Sequence, residues 1–268
     1  MSILIGIVCP DAIVLAADSQ ITHSGLGSHV YFNKITTLDS RIDQLLIAQA
    51  GLPGMSNRVI EIMRDKLRAI QIGQPREIAQ IAEDSVREAK KNLDREQKKY
   101  GKDYGAELML AFYAGSRPYL YTIDVYGTGI ANPSDNDYAT AGIGKYVANY
   151  LLSEIAEPKE GAGIAISTCI YVIKKIKEHQ KSYCGGETNI KWLWQVPVNQ
   201  TPWKYVTRAM DINKDFLQLM EQNLFELDEA NKKARNKQVL SILQETGNKI
   251  TEQWRRNGTE PPPENAAS

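Results

Sequence analysis

Cysteine is scarce in this chain of 268 residues. Its three cysteines, Cys9, Cys169 and Cys184, are odd in number and show no CxxC spacing. A disulfide framework and a zinc site are therefore not expected, and a reducing, cytoplasmic setting fits best. Histidine is as rare, and His23, His29 and His179 share no metal-ligand spacing. Net charge is missing too: 32 basic residues balance 32 acidic ones. Such a balance gives no reason to expect a nucleic-acid or membrane surface. No apolar run reaches transmembrane length. The first charge is Asp11, so the basic start of a signal peptide is not expected either.

What is present is an ordinary globular composition, 43% apolar and 24% charged, enough for a sizeable core. The chain opens on two short apolar runs, Ile3 to Val8 and Ile13 to Ala17, around the turn Cys9-Pro10-Asp11-Ala12, with the second strand expected to continue to Ile21. Continuous Ile, Val and Leu bounded by turn residues predict a buried β-hairpin. Ser2 precedes it. Because a small second residue favours removal of the initiating methionine, Ser2 is the expected mature N-terminus. A glycine-rich loop at 23–28 leads to a second hairpin, Val30 to Leu38 and Leu45 to Ala50.

At Gly51-Leu52-Pro53-Gly54 the periodicity becomes helical, with Ser56 as the expected N-cap and Val59, Ile60, Met63, Leu67 and Ile70 on one face. Pro75 opens a second helix, which runs out in the charged stretch Lys90 to Lys99. Strands are expected at Ala106 to Ala114 and Tyr119 to Val125. A glycine-bearing loop is expected from Gly127 to Gly144, helices at Lys145 to Ile155 and Gly163 to Gln180, and a strand at Thr188 to Val196 with Trp192 and Trp194. From Asp211 to Trp254 the pattern is helical and polar, and Arg255 to Ser268 reads as a disordered tail.

The segment Ile5-Gly6-Ile7-Val8 through Val14-Leu15-Ala16-Ala17-Asp18-Ser19-Gln20-Ile21-Thr22, followed by Lys34, resembles the start of a mature proteasome β-type subunit. Gln20-Ile21-Thr22 is similar to the bacterial HslV form, and a helical extension after residue 205 resembles the Anbu branch. The resemblance implies an α+β fold, the four-layer αββα sandwich of N-terminal nucleophile (Ntn) hydrolases, over residues 1–204. A C-terminal helical extension would follow at 205–256 and a tail at 257–268. It implies a peptidase of the threonine type with serine as nucleophile, acting on peptides or unfolded proteins in a homo-oligomeric ring. An ATPase unfoldase is a candidate partner, and no cofactor or metal is implied.

Residue by residue, the nucleophile falls on Ser2, the acid behind it on Asp18, the lysine on Lys34 and the oxyanion-supporting glycine on Gly51. Thr22 and Gly51 would pair with an extended substrate. The chemistry is self-consistent. A serine hydroxyl needs a base, and a free α-amine on the same residue has a pKa of about 7.7–8.0, close to working pH. A lysine nearby favours the neutral amine and an anionic oxygen, and a carboxylate keeps that lysine charged.

The chain departs from the family where the amine is oriented. An Asp-x-x-Ser-Gly-Gly stretch reads Lys181-Ser182-Tyr183-Cys184-Gly185-Gly186 here, and Gly-Ser-Gly reads Gly142-Ile143-Gly144. These departures leave open an inactive ring or scaffold subunit, and a small-molecule amidohydrolase on the same fold.

Overall fold

A computed structural model describes residues 2–22, 29–40, 43–68, 70, 74–100, 105–131, 137–155, 161–182, 184–197 and 205–212, with isolated positions between 215 and 226. The expected loop at 23–28, most of the expected helix after 211, and the tail at 257–268 lie outside these residues.

Six strands come first: β1 (Ile3–Val8), β2 (Ile13–Asp18), β3 (Gln20–Thr22), β4 (His29–Tyr31), β5 (Ile35–Asp39) and β6 (Gln44–Gly51). Helices α1 (Pro53–Arg68) and α2 (Pro75–Tyr100) follow. Next are β7 (Ala106–Ala114), β8 (Arg117–Ile123), β9 (Gly129–Ala131) and β10 (Tyr138–Gly142). Helices α3 (Lys145–Ile155) and α4 (Ala162–His179) and strands β11 (Thr188–Pro197) and β12 (Tyr205–Asp211) complete the series.

One sheet has the order β10-β1-β2-β11-β12, another β5-β6-β7-β8-β9, and β3-β4 form a two-stranded ribbon. Leu4, Ile13, Leu15 and Ala17 of the first sheet pack against Leu46, Ala48, Met109 and Ala111 of the second. Leu45 and Ile47, on the other face of the second sheet, pack with Met55, Val59 and Met63 of α1 and Ile78 and Val86 of α2. Helices α3 and α4, lying against β1 and β2, close the fourth layer. Each sheet is thus buried on both faces, which is why β1 and β2 read as continuous apolar runs rather than alternating ones.

Four details differ from the sequence expectation. The second strand breaks at Ser19, whose N–H donates to the Glu187 carbonyl at 2.9 Å while its Oγ accepts from the Glu187 N–H at 2.8 Å. Ser56 lies inside α1 instead of capping it, with its Oγ donating to the Leu52 carbonyl. The stretch 127–144 contains β9 and β10, the latter paired with β1 from Ile3↔Gly142 to Ile7↔Tyr138. Residues 205–211, expected to begin a helical extension, form a strand antiparallel to β11. Helix follows at the described positions 215, 217–219, 222, 223 and 226. The chain divides into two compact units, Met1–Met220 and Glu221–Ser268.

Candidate active site

The hairpin β1–β2 brings the start of the chain beside the end of β2. Leu4 pairs with Ala17, so Ser2 and Ile3 reach the level of Asp18. Ser2 is 3% exposed and Asp18 fully buried. A buried carboxylate must be paired, and Asp18 is paired at both oxygens. Its Oδ1 accepts from the Lys34 ammonium at 2.7 Å and from the Ile3 N–H at 3.0 Å. Its Oδ2 accepts from the Gly185 N–H at 3.2 Å.

Lys34 is itself buried and also donates to the Gln20 carbonyl at 2.6 Å. Burial pushes its pKa below the ordinary 10.5, and the Asp18 carboxylate opposes that fall. The lysine is positioned by the coil between β4 and β5, and the Gln49 N–H anchors that coil on the Lys34 carbonyl at 3.0 Å.

Gly51 ends β6 with φ of 103°, a left-handed conformation that side-chain-bearing residues rarely adopt. A Cβ there would also collide with the Gly105 carbonyl oxygen. The same turn carries the Leu52 N–H onto that carbonyl at 3.2 Å and leads into α1. Ser2, Lys34 and Gly51 meet in one small recess, lined as well by Ile21, Phe32, Gln49, Ala50, Pro53 and Ser56. Thr22 is the last residue of β3, next to Ile21, with its backbone paired to His29.

Two loops hold the Ser2 peptide from behind. At Gly142, with φ of 86°, a Cβ would strike the Ser2 carbonyl oxygen. The Gly142 N–H is held by the Glu107 carboxylate at 2.6 Å, and Gly144 N–H reaches the Ser2 carbonyl at 3.5 Å. Ile143 between them is exposed. The second loop follows α4. Its Gly185 carbonyl accepts from the Gln20 N–H at 3.1 Å, which docks Cys184 and Gly185 against Asp18. Cys184 is buried, its thiol pushed up to about 12 mainly by burial and then by the Asp18 charge, with Lys34 opposing. Lys181 is exposed.

The structure therefore gathers Ser2, Asp18, Lys34 and Gly51 at one place. Sequence reading missed Glu107 and Gln49. Gln49 had a legible signal, being an amide in the apolar run Leu45 to Ala50.

Two antiparallel sheets stacked face to face, each covered by a helix pair, with the first strand opening at a buried Ser, Asp and Lys, define the αββα Ntn-hydrolase class. Residues 2–193 match the family described as proteasome subunit, and the chain belongs to that family. It is similar to proteasome subunit beta 1 of Thermococcus gammatolerans, with 28% identity over 174 residues, covering 63% of this chain and 78% of the relative. Proteasome subunit beta 2 of Staphylothermus marinus is 28% identical over 174 residues, covering 61% and 76%. The fold is similar to that of Anbu in the helical assembly from Pseudomonas aeruginosa, with a TM-score of 0.68, 16% identity and coverage of 87% and 96%. Anbu from Yersinia bercovieri, described as an ancestral β-subunit, superposes with a TM-score of 0.66 at 14% identity, covering 85% and 95%.

Proposed function

We propose that this protein is a peptidase whose nucleophile is the Ser2 hydroxyl, freed for catalysis by removal of Met1. The observation that carries this reading is the buried Lys34–Asp18 pair, held against the first peptide of the chain by the Ile3 N–H. Removing a lysine and an aspartate from water is costly, offset only by their mutual attraction and further hydrogen bonds, so a pair buried at this point argues for a use of its field. Here that field acts where Ser2 would ionise.

In the proposed reaction the Ser2 α-amine takes the hydroxyl proton as Oγ attacks the peptide carbonyl carbon. The charged Lys34 lowers the pKa of the amine and stabilises the nascent oxyanion of Ser2. Backbone N–H at the Gly51 turn donates to the tetrahedral oxyanion. Collapse breaks the C–N bond, and the leaving amine takes the proton back from the α-ammonium. Water, activated by the same amine, then cleaves the Ser2 ester. An extended substrate would align with the backbone at Thr22 and Gly51. The working form is a homo-oligomer, supported by the assembly described for the Pseudomonas aeruginosa relative; a ring fed by an ATPase unfoldase is the arrangement the family suggests.

The test begins with intact mass. Loss of the Met1 mass is expected, followed by a single covalent adduct of a β-lactone or epoxyketone on Ser2. Ser2→Ala should lose the adduct and peptide cleavage together. Retention of Met1 in the purified assembly sinks the reading. A second reading, a non-catalytic assembly subunit, is favoured by the buried Cys184 and exposed Ile143 at positions where the family places hydroxyls. An adduct on Ser2 excludes it.

A further inference from the structure

The recess beside Ser2 contains one group with no role in the proposed reaction. Gln49 is buried, and among the described residues neither its Nε2 nor its Oε1 has a hydrogen-bond partner. Leu45 and Ile47 occupy the same face of β6 and are packed into the core under α1. An apolar side chain would extend that packing at the third position of the series. A carboxamide stands there instead, at the point where the face leaves the core and lines the recess with Ser2, Lys34 and Gly51.

A buried amide with two donor hydrogens and an acceptor oxygen unmatched is a costly arrangement. It is relieved by a partner that supplies an acceptor and a donor together, a bound water or a ligand that displaces it. On the reading of Ser2 as nucleophile, we infer that Gln49 makes this recess select a substrate side chain ending in a carboxamide, asparagine or glutamine, on the acyl side of the cleaved bond. The substrate amide would accept from Gln49 Nε2 and donate to Gln49 Oε1, closing two reciprocal hydrogen bonds.

Other side chains satisfy the recess less well. A leucine leaves both ends of the amide unmatched. A carboxylate takes the Nε2 hydrogen but sets its oxygen against Oε1, and Lys34 is already neutralised by Asp18 at 2.7 Å. A lysine or arginine donates to Oε1 but has no acceptor for the Nε2 hydrogens. Of the remaining lining, Ile21, Phe32, Ala50 and Pro53 are apolar and the Ser56 hydroxyl is already donated to the Leu52 carbonyl, so the amide is the feature that discriminates.

The experiment uses the full-length assembled protein and a fluorogenic peptide series that varies only the residue before the reporter: Asn, Gln, Asp, Leu and Lys. Asparagine or glutamine should give a kcat/KM about tenfold or more above leucine. Gln49→Leu should erase that advantage and raise cleavage of the leucine peptide. The inference is overturned if leucine or aspartate is cleaved as well as the amides, or if Gln49→Leu leaves the ranking unchanged. Where the variant does not assemble, the wild-type ranking decides alone. Labelling of Ser2 by a β-lactone in the same preparation separates the two readings. Labelling with cleavage but no amide preference overturns only the Gln49 assignment. No labelling and no cleavage of any peptide overturns both.

Discussion

The Lys34 ammonium and the Asp18 carboxylate touch at 2.7 Å with their side chains 3% and 0% exposed. The carboxylate also anchors the Ser2–Ile3 peptide through the Ile3 N–H. Asp18→Asn should therefore do two things. It should destabilise the fold by about 3–5 kcal/mol, the scale for leaving one partner of a buried pair uncompensated. It should also lower kcat by about a hundredfold or more, since the lysine that stabilises developing charge loses its fixed position. Denaturant melts and a peptide assay on the same sample check both. An active, fully stable Asp18→Asn protein would show that the pair is incidental.

Lys34 also sets an expectation for pH. Its pKa lies below 10.5 because burial outweighs the Asp18 charge. The unfolded chain therefore holds that proton to higher pH than the folded one. Lys34 titration penalises the fold below its folded value and relieves the penalty as pH rises toward 10.5. On the proposed mechanism activity runs the other way, because the charged lysine is the useful form there. The kcat/KM profile should rise on an acid limb set by the α-amine of Ser2 and fall on an alkaline limb below pH 10.5. Lys34→Met should flatten the alkaline limb in whatever activity remains.

Much of this centre was legible because it is local in sequence. Ser2 and Asp18 lie at the same end of the β1–β2 hairpin, and Lys34 stands only 16 residues beyond Asp18, in the coil between β4 and β5. Gly51 was legible as a turn glycine. Strands β10 and β12 were not: β10 is short and exists through pairing with β1 far back in the chain, and β12, though it pairs with neighbouring β11, carries Thr207, Arg208 and Asp211 in place of an apolar run. The break at Ser19 was hidden for the same reason: its partner, Glu187, lies 168 residues away. Glu107 reads as an ordinary strand residue, and only the fold places its carboxylate on the Gly142 N–H.

Cysteine chemistry gives an independent check of the loop after α4. Cys9, Cys169 and Cys184 are all free and buried. Burial raises each thiol, to about 12 for Cys9 and Cys184 and in the same direction for Cys169. Thiolate is the reactive form. Iodoacetamide at neutral pH should therefore leave the native protein unmodified and modify all three cysteines after unfolding, as read by mass. Cys184→Ser places a hydroxyl beside Asp18 and should raise kcat severalfold with KM little changed. Rapid native alkylation at Cys184 would mean the loop is not docked on Asp18.

The Gly51 turn admits the sharpest steric test. Two constraints meet there: φ of 103° and a Cβ direction that runs into the Gly105 carbonyl oxygen. That carbonyl also accepts from the Leu52 N–H, so it cannot withdraw without breaking the turn into α1. Gly51→Ala must therefore either rotate the Gly51 peptide or push β6 from β7, where Gly51 pairs with Ala106. Strain of this kind costs about 1–3 kcal/mol, visible as a lower Tm. Rotation of the peptide also takes its N–H away from the oxyanion, a loss worth about 100- to 1000-fold in kcat. KM should change far less, since the recess keeps its side chains. Gly54→Ala is the control: no atom lies within 4 Å of a Cβ there, so its Tm and kcat should match the parent. If Gly51→Ala behaves like Gly54→Ala, the turn has no part in holding the oxyanion.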